Sequence, residues 1–410
     1  MSRFLFPTVA TVLITAASGC RPDNPVEASE SPSVVRASAQ AARNYEMIDL
    51  GLLGASGIEP GRIDKKGRVY AYGTGSDYHQ HIYRWEDGAV ADLGAIPPSG
   101  SLAFSPNGLV GGTACSFYSG TCTFYLFDEG TITTLPIDGT AYEDESSVNS
   151  VLDDGTVIGH VQYADHQVLA FWRDGVRHDL PPLSAAYPRT YGGAMNKHDQ
   201  LIAQSLDLNR LNSRPYFWEN GVARDLGTLV DHPCADNPAV TCGSASASAI
   251  NNHGDVVGGS QDANGNNRPV IWRNAGAVED LGVFSGQSAF AFKINDHGDI
   301  YGFGGPESWW GLIDGTLYSP GAPVGAFSHP TGMNEDGEVA GYFRAADGKS
   351  HAFVWSRGQM TDLGTGPDGA QYTAAYFIND RGDVLGAYLQ GQQRLVLWRP
   401  TSANNIAAAP

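Results

Sequence analysis

Hydrophobic and polar positions alternate with period two along most of the chain. The pattern is clearest between Ser244 and Gly282, where Ala245, Ala247 and Ala249 alternate with Ser246 and Ser248 before Ile250. That is the signature of a strand with one buried face. Asn251-Asn252-His253-Gly254 follows as a turn, with asparagine to initiate it and glycine to take the positive φ of a tight hairpin. Residues 255–260, 268–273 and 277–281 are three further short strands. No segment repeats apolar residues at helical spacing, so no helix is expected.

The same unit recurs with decay along the chain. Glycine marks the first hairpin turn at Gly67, Gly108, Gly155, Gly254, Gly298, Gly337 and Gly382, with Asp199 in the fourth unit. A third-strand aromatic recurs at Trp85, Phe127, Trp172, Trp218, Trp272, Trp355 and Trp398, and the sixth unit degenerates near Trp310–Ile313. Asp-Leu-Gly closes the fourth strand at residues 92–94, 225–227, 280–282 and 362–364. Four short strands repeating at about 45 residues are the pattern of propeller blades. The expected fold is all-β, an eight-bladed β-propeller of four-stranded blades over residues 45–400. The 51 glycines and 23 prolines agree with many turns. The last unit lacks a fourth strand, because Pro400 ends it, whereas Tyr45–Gly51 reads as a fourth strand with nothing before it. Glu46–Leu50 is therefore expected to pair with Leu395–Trp398 and close the ring.

The stretch His351-Ala352-Phe353-Val354-Trp355, then Asp362-Leu363-Gly364, then Ile378-Asn379 before a glycine turn, resembles the HAF repeat family of bacterial extracellular proteins. The resemblance implies an exported repeat architecture and no particular reaction. The N-terminus agrees with export. Arg3, the apolar run Phe4–Ala17 and Ala17-Ser18-Gly19-Cys20 resemble a bacterial lipoprotein signal, with residues 1–19 removed and Cys20 acylated. An ordinary secretory signal cleaved nearby is the alternative. By resemblance to Gram-negative lipoproteins, Arg21 rather than Asp after the cysteine favours the outer membrane, with the side unresolved. Residues 20–44, rich in Ser, Ala, Pro and Glu, read as a disordered tether, and residues 401–410 as a disordered tail.

Four cysteines remain. Three pairings exist in principle, and the local ones, Cys115–Cys122 and Cys234–Cys242, are favoured for an exported chain. The net charge of −19 disfavours nucleic acid and anionic membranes as direct partners, leaving the lipid as the only membrane contact. The chain has no nucleophile elbow, zinc-protease helix, phosphate loop or dinucleotide fingerprint. No catalytic residue, metal site or cofactor is assigned. The Asn-Asp-x-Gly-Asp turns faintly suggest calcium loops, but their oxygen spacing is wrong for an EF-hand and a hairpin explains them.

In an up-and-down blade, the loops between strands two and three emerge on the same face as the links between blades. The long segments, among them 76–80, 116–121, 137–147, 181–191 and 231–243, all belong to that face. The candidate ligand residues there are Tyr78, His79, Phe117, Tyr118, Tyr142, Glu143, Asp144, Tyr187, Tyr191, His232, Trp309 and Trp310. Aromatics with acids can grip a sugar, a peptide or a cation. The leading expectation is a monomeric, lipid-anchored binding or scaffold module for an envelope protein or glycan. A surface adhesin or structural repeat is a second class. A carbohydrate-active enzyme using acids in the propeller funnel is a third.

Overall fold

The computed structural model describes residues 44–401, apart from 117–118, 138–140, 143–145, 165, 208–211, 231, 234–240, 283–287, 305–308, 319–326 and 368–369. Cys20, Phe117, Tyr118, Glu143, Asp144 and Cys234 therefore lie outside the described residues, as do the side chains of Tyr142, His232 and Cys242.

The described chain is all-β, broken only by a single 3-10 turn at Arg273–Ala275. Its strands form seven sheets of four or more strands, plus a two-strand ladder of His232–Pro233 with Thr241–Cys242. Sheet I spans residues 58–96, II 99–142, III 147–179, IV 189–225, V 245–280 and VI 289–318. Sheet VII takes residues 328–400 together with Tyr45–Gly51. Within each of sheets I to VI, four consecutive strands pair antiparallel in chain order, and in sheet II Ala141–Tyr142 pairs with Thr121–Asp128 as a fifth. Sheet VII has eight strands, and its two halves meet through one parallel bridge, Ser350 to Tyr372. Tyr45–Gly51 pairs antiparallel with Gln392–Pro400, setting Met47 opposite Trp398 and Ile48 opposite Leu397. This is the pairing that the terminal strand sequences suggest.

The turns form for the expected reason. Gly67, Gly108, Gly155, Gly254, Gly298, Gly337 and Gly382 have φ between 71° and 94°, and Asp199 has φ 61°. The repeated aromatics fill the spaces between sheets. Among the described residues the apolar side chains form several clusters, most of them between one sheet and the next and one between the two halves of sheet VII. Val110 and Phe127 of sheet II pack on Ile82 of sheet I, and Val257 and Ile271 of sheet V pack on Trp310 of sheet VI. A chain of this length can thus bury its apolar residues without one oversized core.

Polar bonds join the sheets at the turn end. In sheets IV to VII the asparagine that opens the first turn accepts backbone N–H groups of its own turn: Asn251 accepts two, from His253 and Asp255, while Asn295 and Asn334 accept one each, from Asp299 and Glu338. The amide of each then donates to the equivalent carbonyl of the following repeat. Asn196 donates to Asn251 at 2.9 Å, Asn251 to Asn295 at 3.1 Å, Asn295 to Asn334 at 3.2 Å and Asn334 to Asn379 at 3.0 Å. Asn379 donates to Asp64 of sheet I at 2.8 Å, linking the last repeat to the first. Each asparagine is buried, so an unbonded amide there would cost about 1–3 kcal/mol.

Candidate functional site

The structure scatters the residues expected to form a ligand face. Tyr78 sits at a loop tip, 90% exposed with φ 67°, and His79 beside it lies 3.2 Å from Asp77. Tyr142 and His232 lie in two-residue strands. Tyr187 is buried under its own loop against Leu183 and Ala186. Tyr191 lies in the first strand of sheet IV, its ring edge-on to His160 at 5.7 Å.

Trp309 and Trp310 correct the expectation. Both lie in the strand Trp309–Ile313 and both are fully buried. The strand is a third strand of ordinary length, so this pair belongs to the core between sheets and not to a loop. Alternation sends the two rings to opposite sides of sheet VI.

The repeated Asp-Leu-Gly aspartate is structural. Asp92, Asp225, Asp280 and Asp362 each accept the N–H of the glycine two residues on, at 2.7–2.9 Å. Each also holds a base from the third strand. Arg214 reaches Asp225 at 2.6 Å, Arg268 reaches Asp280 at 3.1 Å, and His81 and His351 take the same place opposite Asp92 and Asp362. His81 lies between two carboxylates, Nδ1 at 2.9 Å from Asp92 and Nε2 at 3.1 Å from Asp77. The Asp92 bond, then Asp77, raises the His81 pKa, while the His79 backbone N–H, then His81, holds Asp77 down to about 2. A raised histidine pKa gives stability that is complete below the ordinary value of 6.5 and is lost as pH rises through the folded value. The melting temperature of the protein should therefore decline above that pH. His81→Gln should flatten its share of the decline, and identical pH profiles for the two proteins would refute the clamp. The His351 clamp borders an open recess of about 570 Å³ with Phe343, Met360, Asp347 and Asp362 on its walls.

A more continuous arrangement runs along the long-loop end of the first and second strands of sheets VI, VII and I. Cross-strand partners at one register place Phe290 beside Phe303, His329 beside Tyr342 and Glu59 beside Tyr72. Such pairs stand side by side on one face. Rings then connect across sheets. The Phe290 and Phe303 centroids are 5.5 Å apart, Phe303 and His329 5.1 Å, His329 and Tyr342 5.4 Å, and Tyr342 and Tyr372 6.2 Å. Phe327 stacks parallel to His329 at 6.2 Å. Tyr372 and Glu59, the latter bonded to Gln393 at 2.6 Å, both act electrostatically on Tyr376. Burial lowers the His329 pKa, so its ring is a neutral aromatic at neutral pH. Burial raises Glu59 and pushes Tyr72 up to about 12. The stripe thus offers stacked faces, tyrosine hydroxyls and one carboxylate, with Phe290 and Phe327 exposed at its edge. These aromatics follow the strand pattern of core residues, and only the register of first and second strands brings them together.

The disulfide Cys115–Cys122 joins directly opposed strand residues of sheet II, with Cα atoms 4.0 Å apart.

No protein-family model matches the chain, and no curated protein matches it. Solved structures do. Prolyl oligopeptidase B from Galerina marginata is 11% identical with a TM-score of 0.53, over 82% of this chain and 55% of that one. The β-propeller domain of the Trilobed protease from Pyrococcus furiosus is 11% identical with a TM-score of 0.47, over 76% of this chain and 99% of that one. TolB from Acinetobacter baumannii is 14% identical with a TM-score of 0.34, over 54% of this chain and 53% of that one. The chain spans little more than half the length of the first and third of these. At such identities the likeness shows the fold alone: an all-β protein of the β-propeller kind.

Proposed function

We propose that this protein is an exported β-propeller, anchored through Cys20 to the outer membrane, that binds an envelope protein or glycan through its long-loop face. The observation that carries the binding reading is the aromatic stripe from Phe290 to Tyr376. Contiguous, partly buried rings with two exposed at the edge, flanked by hydroxyls and a carboxylate, suit a sugar ring or a peptide side chain, which present apolar faces and hydrogen-bonding edges together. The anchor and the HAF-like export reading rest on residues 1–20 and on the His351–Gly364 stretch.

In this reading the two halves of sheet VII are separate blades, since one bridge joins them, and the ring has eight blades. Pairing of Tyr45–Gly51 with Gln392–Pro400 and the Asn379–Asp64 bond support a closed, monomeric ring. A second disulfide, Cys234–Cys242, closes the loop before sheet V.

The test uses Phe290→Ser with Phe327→Ser, two exposed edge residues. Their loss should leave the melting temperature nearly unchanged. It should weaken capture of envelope protein or glycan at least about tenfold, the scale of losing a binding hot spot. Equal capture by wild type and double variant would sink the assignment. Turnover on a glycan panel would move the protein into the enzyme class.

A further inference from the structure

The strand Val157–Gln162 of sheet III carries a histidine, His160, that is 8% exposed and has a partner at each ring nitrogen. Its Nδ1 lies 3.1 Å from the Asn149 amide oxygen, and its Nε2 lies 3.5 Å from the Ser147 hydroxyl. An amide oxygen can only accept, so Nδ1 carries the proton and Nε2 is left to accept the Ser147 O–H. The Ser147 contact is long for a hydrogen bond, but such contacts tighten when a substrate is bound. Tyr191 of sheet IV stands edge-on to the imidazole at 5.7 Å. A hydroxyl, an imidazole that accepts from it and a third group that fixes the imidazole tautomer make up an activated nucleophile.

Strand register builds this arrangement. Ser147 pairs directly with His160 across the first two strands of sheet III, so their side chains share one face. Asn149 is the extra residue of the bulge between Val148 and Ser150. A bulge re-aims the residue it adds, and here that residue meets His160. The same pair position, two residues before the bulge residue, holds Phe290 opposite Phe303 in sheet VI and His329 opposite Tyr342 in sheet VII. Sheet III thus puts a nucleophile and a base where the aromatic stripe has rings. In sheet V the place is taken by Ser246 opposite Gly259, a hydroxyl with no base across from it. Ser147 and Asn149 are only half-buried, so solvent reaches them.

We infer that Ser147, His160 and Asn149 form a hydrolytic site for carboxylic esters, an activity beyond the binding role. Ser147 Oγ attacks the ester carbonyl carbon while its proton passes to His160 Nε2. The bond from that carbon to the alcohol oxygen breaks, and the proton leaves with the alcohol. Water then gives a proton to the same nitrogen and attacks the acyl-serine. The carboxylic acid departs, and the proton returns to Ser147 Oγ. Asn149 touches no reacting atom and is a positioning residue. Its amide is uncharged, so it orients the imidazole without the added basicity that a carboxylate partner gives. That suits an ester, whose alcohol leaves more readily than the amine of a peptide bond.

The test is turnover of para-nitrophenyl acetate by the full chain, with a fluorophosphonate to label the nucleophile. Labelling joins Ser147 Oγ to phosphorus, breaks the P–F bond and releases fluoride with the serine proton. Wild type should hydrolyse the ester and carry the label on Ser147, located by peptide fragmentation. Ser147→Ala, which removes only a half-buried hydroxyl and should melt as wild type does, should lower kcat/KM at least about 100-fold. His160→Gln should do the same, this being the low end of what a positioned general base contributes. Asn149→Ala should lower kcat with KM little changed, and Asn149→Asp, which can still accept from Nδ1, should recover it. Ser246→Ala should change nothing. Absence of both turnover and label, a label on another residue, or wild-type turnover by Ser147→Ala would overturn the assignment. Should His160→Gln fail to fold, the Ser147→Ala rates and the position of the label decide.

Discussion

Truncation through Gly51 should destabilise the protein by at least about 4 kcal/mol, whereas truncation through residue 43 should leave its melting unchanged. Tyr45–Gly51 is the outermost strand on Gln392–Pro400. Leu50 is buried with Leu385, Leu395 and Leu397, and Ile48 packs on the same cluster. Fully burying such a side chain is worth about 1.5–3 kcal/mol. The strand also supplies Asp49, whose carboxylate accepts the Tyr388 hydroxyl at 2.8 Å, and the Asn44 carbonyl, which accepts the Thr401 N–H at 2.8 Å. Removing the strand would leave the edge of Gln392–Pro400 unpaired beside exposed leucines, an invitation to aggregate. Calorimetric scans of the two truncations decide the matter. If both melt alike, the N-terminal strand contributes nothing and the closed ring fails.

Much of this architecture could be read from residues. Glycine turns are visible because only a few residues tolerate positive φ, so Gly67 to Gly382 mark hairpins without any knowledge of packing. The orphan fourth strand at Tyr45–Gly51 was legible because it repeats the Asp-Leu-Gly ending where no earlier strands precede it. Partner choice across sheets was not legible. Asn251, Asn295 and Asn334 read correctly as turn residues, but a local pattern holds nothing about where the second amide hydrogen goes. The candidate ligand face suffered from the same limit. Long loops are where the sequence nominates binding aromatics, whereas His329, Tyr342 and Tyr372 lie within strands, where a ring that lines a mouth and a ring that fills a core share one pattern. Only strand register, set partly by the bulge that each first strand carries, separates the two.

Trp309→Ala and Trp310→Ala should each cost about 3–5 kcal/mol, the range for truncating a buried large aromatic. The two rings serve different interfaces. Trp310 packs with Val257 and Ile271 of sheet V, while Trp309 packs with Phe353 and Trp355 of sheet VII. The Trp309 indole donates to Ser328 Oγ at 3.1 Å and meets Trp355 edge-on at 5.7 Å. Trp310 lies so close to Gly302 that a Cβ there would come within 2.4 Å of its ring. The rings share no apolar cluster, but the two residues are bonded neighbours in one strand and couple through its backbone, so the cost of the pair is not the plain sum of the two. The double variant should still be too unstable to purify as a folded monomer, so the singles carry the measurement. Denaturant unfolding of each single variant, with ligand capture measured at a temperature where it remains folded, separates core from surface. A single variant that melts like wild type but loses capture would return these tryptophans to the ligand face.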